Sequence, residues 1–73
     1  GELTYKLAEV YSILGNRSSA VRMLEKSIEQ GFFAYAYMIR DPLLENIRGS
    51  ADYERVIEIA RRRHEDFKKW FFS

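Results

Sequence analysis

Apolar residues keep helical time along the first part of the chain. Between residues 2 and 14 they fall at Leu3, Leu7, Val10, Tyr11 and Leu14, the three- and four-residue spacing of a helix. Gly15-Asn16 interrupts the pattern, and both residue types tolerate the left-handed conformation that closes a helix end. The stripe resumes at Ala20, Val21, Leu24 and Ile28, with Ser18 or Ser19 placed to cap this second helix by accepting a backbone N–H bond. It runs to about Gln30, and Gly31 terminates it. A link this short sets the two helices antiparallel.

Beyond residue 31 the pattern changes. Residues 32–39, FFAYAYMI, alternate aromatics as a strand would, yet also suit a short buried helix. No second convincing strand exists to pair with them, which favours the helix. Asp41-Pro42 is a start signal: aspartate caps, and proline fits the first helical position because its missing N–H needed no partner. PLLENIR follows as a short helix ended by Gly49. Ser50 is the next cap, and Asp52 lies in a first turn where an acid suits the helix dipole. The last helix spans residues 51 to about 71, with Tyr53, Val56, Ile57, Ala60, Phe67, Trp70 and Phe71 on its apolar stripe. The expected fold is all-α and one domain: a helical hairpin over residues 1–31, then short helices and a long closing helix over residues 32–73.

Composition narrows the functional classes. A chain of 73 residues buries only about 60% of its unfolded surface, and with no cysteine it has neither a disulfide framework nor a thiolate metal site. Stability must come from apolar packing, and a chain 47% hydrophobic and 15% aromatic argues against disorder. Twelve basic against eleven acidic residues give a formal charge of +1, so there is no global pull towards nucleic acid or anionic lipid. The longest apolar run is residues 32–39, far short of the roughly 20 needed to span a bilayer in a helix, and GELTYK carries no apolar signal region. A soluble protein is expected, and absent cysteine accords with the cytoplasm.

Leu7, Ala8, Tyr11, Gly15, Ala20, Leu24 and Ile28 stand in one register. That register resembles a tetratricopeptide repeat, a helix-turn-helix unit of about 34 residues. Small Ala8 and Ala20 let two helices approach, Tyr11 and Leu24 fill the space beside them, and Gly15 makes the turn. The family's usual large residue in the first turn is not matched at Thr4, so Leu3 or Tyr5 must substitute. Ser27 stands where the family prefers alanine, and Phe32 where it often has proline. Gly31, Phe32, Asp41, Pro42, Leu44, Ile47, Arg48, Tyr53 and Ile57 are similar to the tail that closes tetratricopeptide arrays in many bacterial proteins. The resemblance implies a degenerate final repeat, a non-enzymatic interaction module behind sensory, kinase, cyclase or transcription-factor domains. Its implied partners are a polypeptide and upstream repeats.

By the same resemblance, Glu2, Tyr5, Glu9, Ser12 and Ile13 face a peptide-holding groove. Tyr5 and Glu9 stand where a clamp for a carboxylate needs lysine and asparagine, so the groove suits a basic or apolar ligand. The first helix is apolar nearly all round, which implies burial on more than one side. The missing neighbour is an upstream repeat or a second copy of the chain, and Leu3 and Val10 mark the interface. The bland alternative is that the tail folds back over this face. Trp70, Phe71 and Phe72 either dock on the first helices or form a patch for a partner, because large aromatics are costly in water.

The run ARRRHEDFKKW invites a nucleic-acid reading, but helical geometry spreads its cations, and Glu58 and Glu65 sit four residues from Arg62 and Lys69. A solvated, salt-laced face is the better account. His64, the only histidine, falls on the apolar stripe, and with no second histidine or cysteine it reads as a packed or interface residue rather than a metal ligand. No nucleophile–base arrangement or phosphate loop is present, and no catalytic residue, cofactor or metal is expected.

Overall fold

The computed structural model describes residues 1–32 and 34–72, the last two by their backbone alone. Among the described residues there are four α-helices, α1 (Glu2–Ile13), α2 (Arg17–Glu29), α3 (Tyr35–Met38) and α4 (Ala51–Phe72), with a 3-10 turn at Pro42–Leu44 and no strand. The fold is all-α, as the apolar periodicity predicts. Residues 35–38 are helical rather than extended, because no strand among the described residues pairs with them and the N–H groups of Tyr37, Met38 and Ile39 close on local carbonyls.

Each hairpin helix ends in the same way. After α1 the Gly15 N–H donates to the Ser12 carbonyl and the Asn16 N–H to the Tyr11 carbonyl. After α2 the Gly31 N–H donates to Ile28 and the Phe32 N–H to Ser27. This double closure needs a left-handed residue, and Gly15 and Gly31 supply φ of +77° and +100°. Asn16 does not share that role. Its side chain accepts from the Ser19 N–H at 3.2 Å, so Asn16 is the cap of α2. The expectation of a cap at Ser18 or Ser19 is therefore corrected: both lie inside the first turn, two and three residues beyond the position whose side chain reaches the free N–H groups. Asn16→Ala should cost about 1 kcal/mol in urea unfolding, and Ser18→Ala should cost only a few tenths.

Small residues bring α1 and α2 together. Ala8 and Ala20 are fully buried between them, beside Leu24 and Ile28. Ser27, also fully buried, behaves as an alanine whose hydroxyl is satisfied locally, donating to the Leu24 carbonyl at 2.8 Å. Of the two candidates for the large first-turn residue, Tyr5 is buried and Leu3 is exposed.

Residues 30–50 cross over the end of the hairpin. Asp41 caps the 3-10 turn by accepting from the Leu43 N–H at 2.9 Å. PLLENIR forms this tight turn and further turns to Gly49 rather than a regular helix, since cap and stop leave room for too few turns. Leu44 and Ile47 nevertheless enter the core. Arg48 fastens the crossover, donating to the Asp41 carbonyl at 2.7 Å, and Asn46 fastens it to α1 through the Ser12 carbonyl at 2.9 Å. Ser50 accepts from the Tyr53 N–H at 3.2 Å and so caps the entry to α4.

Tyr53, Val56, Ile57 and Ala60 carry the buried face of α4. Arg55 pairs with Glu25 at 2.9 Å, and Arg63 donates to the Ile28 carbonyl at 3.2 Å. These contacts advance together along both helices, so α4 runs parallel to α2. Parallel neighbours need a crossover, and residues 30–50 are that crossover.

Candidate interaction surface

Three faces of α1 meet three environments. Tyr5, Ala8 and Ser12 point into the core. Ser12 holds its place by small volume, for its buried hydroxyl has no hydrogen-bond partner among the described residues. On the outer side Leu3, Leu7, Val10 and Leu14 are 75%, 45%, 50% and 72% exposed. Spacings of four, three and four residues keep them within about 60° of one another at 3.6 residues per turn. They form one apolar stripe that α4 does not cover, since α4 packs on α2 and α3. Leu3 and Val10, expected at an interface, are both in it. Ile13 is exposed as well, off the stripe.

The third face is polar and opens on a surface pocket of about 360 Å³. Glu2, Tyr5, Lys6 and Glu9 line it from α1, while Phe32 and Tyr37 line it from across the helix end. Tyr5 forms the floor, its ring 4.9 Å from that of Phe32 and 5.9 Å, edge-on, from that of Tyr37. Of the five residues expected to face a groove, Glu2, Tyr5 and Glu9 therefore meet at one pocket. Ser12 and Ile13 do not join them: Ser12 is inside the core, and Ile13 is two turns from Tyr5.

Beneath the pocket lies a buried acid, Asp41. The Tyr5 hydroxyl donates to its Oδ2 at 2.6 Å, which brings together residues 36 apart in sequence. Burial, and then the bond to Asp41, hold the Tyr5 phenol above its ordinary range. Glu9 also bonds to Asp41, and burial with this bond and the Asp41 charge pushes Glu9 up to about 7, against the opposing charge of Lys6. Burial alone would raise Asp41 too. Hydrogen bonds from Glu9, Tyr5 and the Leu43 N–H, with the Arg48 charge, outweigh it and hold Asp41 below its usual value. Of the two acids, Glu9 is the one that keeps its proton to higher pH.

Stability therefore depends on pH in a stated direction. Unfolded Glu9 releases its proton near 4.5, whereas the folded chain keeps it until about 7. The Glu9 contribution is full below the unfolded value and is lost as pH rises through 7. Asp41 acts oppositely, losing its contribution as pH falls below the unfolded value of 3.8. Stability should peak between these limits and fall by about 1–2 kcal/mol from pH 5 to pH 8, allowing for solvent screening of a partly exposed acid. Thermal melts should record a drop of roughly 5–10 °C, and Glu9→Gln should flatten it.

On α4, Arg61 pairs with Glu58 at 2.6 Å and Glu65 at 3.3 Å, and Arg62 pairs with Glu58 at 3.4 Å. Arg61 and Arg62 hold the Glu58 carboxyl well below the usual range. Glu58 pairs with Arg62 as its spacing predicts, while Glu65 reaches back to Arg61. His64 is half-buried, its ring 6.4 Å from that of Tyr35. Trp70 is 85% exposed, and the side chains of Phe71 and Phe72 lie outside the described residues. Among the described residues no cluster of acids and histidine could hold a metal, and no helix is long and apolar enough to cross a membrane.

Sequence reasoning reads Asp41 as a cap and misses it as the partner of Tyr5 and Glu9. No local spacing links residues 5 and 9 to 41. The one signal is a single acid placed two residues after the aromatic run of residues 32–39. No known family model, curated protein or solved structure matches the chain.

Proposed function

We propose that this chain is a non-enzymatic protein–protein interaction module, the closing end of a tetratricopeptide-like helical array, on whose α1 a preceding helical hairpin stacks. The observation that carries this reading is the exposed stripe Leu3, Leu7, Val10 and Leu14. An apolar face of this size on a small chain marks a contact surface, and a repeat hairpin buries its outer face only against a neighbour. The parallel course of α4 and α2 agrees with it. One hairpin followed by a crossover and a helix of the same direction is the path of a repeat whose successor has lost its first helix.

The test is a chimera in which a consensus tetratricopeptide hairpin precedes Gly1. Backbone amide spectra should show shifts at Leu3, Leu7, Val10 and Leu14, with Val56 and Ile57 unmoved. Unchanged stripe amides would refute stacking. The 4-3-4 spacing of the stripe also matches a coiled-coil seam, which favours self-association as a second reading. Light scattering over a concentration series separates the two: a dimer dissociated by Val10→Asp supports the second.

A further inference from the structure

The pocket between α1 and α3 has features that a simple interhelical cleft lacks. At about 360 Å³ it is at the small end for a ligand site, a fit for one side chain rather than a large molecule. Its floor and walls are the rings of Tyr5, Phe32 and Tyr37. Tyr37 is 57% exposed, so part of an aromatic ring is left in water at the mouth. The acids Glu2 and Glu9 line the opening, and buried Asp41 lies directly under Tyr5.

We propose that this pocket receives the guanidinium of an arginine in a basic peptide. Ring faces attract cations, and a flat guanidinium stacks on them while donating to carboxylates. A neutral side chain of equal shape gains the ring contact and forfeits the charge. Phosphate is disfavoured by the acids, which excludes nucleic acid from the same opening. Lys6 is the one cation lining the pocket. It offsets part of the charge of Glu2, while Arg48 faces Asp41, and Glu9 adds its own negative charge once its proton leaves. This surface lies apart from the leucine stripe, so the proposal stands or falls independently of stacking.

The experiment is a titration of the full chain at low salt with a blocked Ala-Arg-Ala peptide, followed by the ring signals of Phe32 and Tyr37. The control is the same peptide with citrulline, which keeps the shape and removes the charge. The arginine peptide should shift both rings and saturate in the millimolar range, with the citrulline peptide at least about tenfold weaker. Tyr37→Ala should weaken binding about two- to fivefold. Tyr37 is mostly exposed, and unchanged signals from Leu24 and Val56 will certify the fold. Glu9 is faced by Lys6 and Tyr5 on its own helix, by Asp41 with Arg48 behind it, and by Tyr37 on α3. A bound cation displaces its proton, so binding should also tighten from pH 6 to pH 8. Equal binding of the citrulline peptide, unmoved rings, or an affinity indifferent to Tyr37→Ala would each overturn the proposal.

Discussion

Leu24→Ala is expected to lower stability by about 2–5 kcal/mol, enough to unfold much of the population at 37 °C. Leu24 is fully buried at the middle of α2, in the cluster that joins both hairpin helices to the crossover and α4. Removing its branched end forfeits the transfer energy of three carbons and leaves a cavity that a close-packed core relaxes only partly to fill. A chain this size has only about 4–11 kcal/mol in total. Leu3→Ala removes the same atoms from a side chain that is 75% exposed, and should cost under about 0.5 kcal/mol in this chain alone. Urea unfolding of the two variants side by side measures the contrast.

Asp41→Ala is expected to cost about 2–4 kcal/mol. It removes the cap of the 3-10 turn, strands the buried Tyr5 hydroxyl and takes away the group that Glu9 protonates against. Asp41→Asn divides these effects. The amide oxygen still accepts from Leu43 or Tyr5, so roughly half the loss should be recovered. The charge is gone, however, and Glu9 should titrate closer to an ordinary glutamate, with the fall in stability above pH 5 reduced. If both variants melted as the parent does, the Tyr5–Asp41–Glu9 network would have no part in holding the crossover against α1.

Sequence periodicity located the helices wherever a long stripe met a clear stop. Ala20, Val21, Leu24 and Ile28 were read as the inner face of α2 and are all buried, as are Tyr53, Val56, Ile57 and Ala60 on α4. The stripe on α1 was equally legible, but its destination was not. Leu3, Leu7, Val10 and Leu14 look like a core face in sequence, whereas the face that enters the core carries Tyr5, Ala8 and Ser12. Hydrophobicity marks what seeks burial, and not which neighbour supplies it. Met38 illustrates a different limit: it is fully buried, yet a helix of four residues is too short for any period to announce its inner side. The pocket was half legible. Glu2, Tyr5 and Glu9 were grouped by the resemblance to a repeat's groove positions, which also grouped Ser12 and Ile13 with them, although those two lie elsewhere. Phe32, Tyr37 and Asp41 arrive through a crossover whose path depends on the Asp41 cap, legible as an Asp-Pro start signal, and on bonds from Arg48 to the Asp41 carbonyl and from Asn46 to the Ser12 carbonyl, which no spacing announces.

The proposed stacking of a preceding helical hairpin on the outer stripe of α1 has a direct readout in the urea unfolding of the hairpin chimera, followed by a probe in each half. One shared transition is expected, at higher urea than this chain alone shows, because stacked repeats unfold as coupled neighbours. Val10→Asp should split that transition into two. Two independent transitions in the unsubstituted chimera, with this chain's midpoint unmoved, would rule the stacking out.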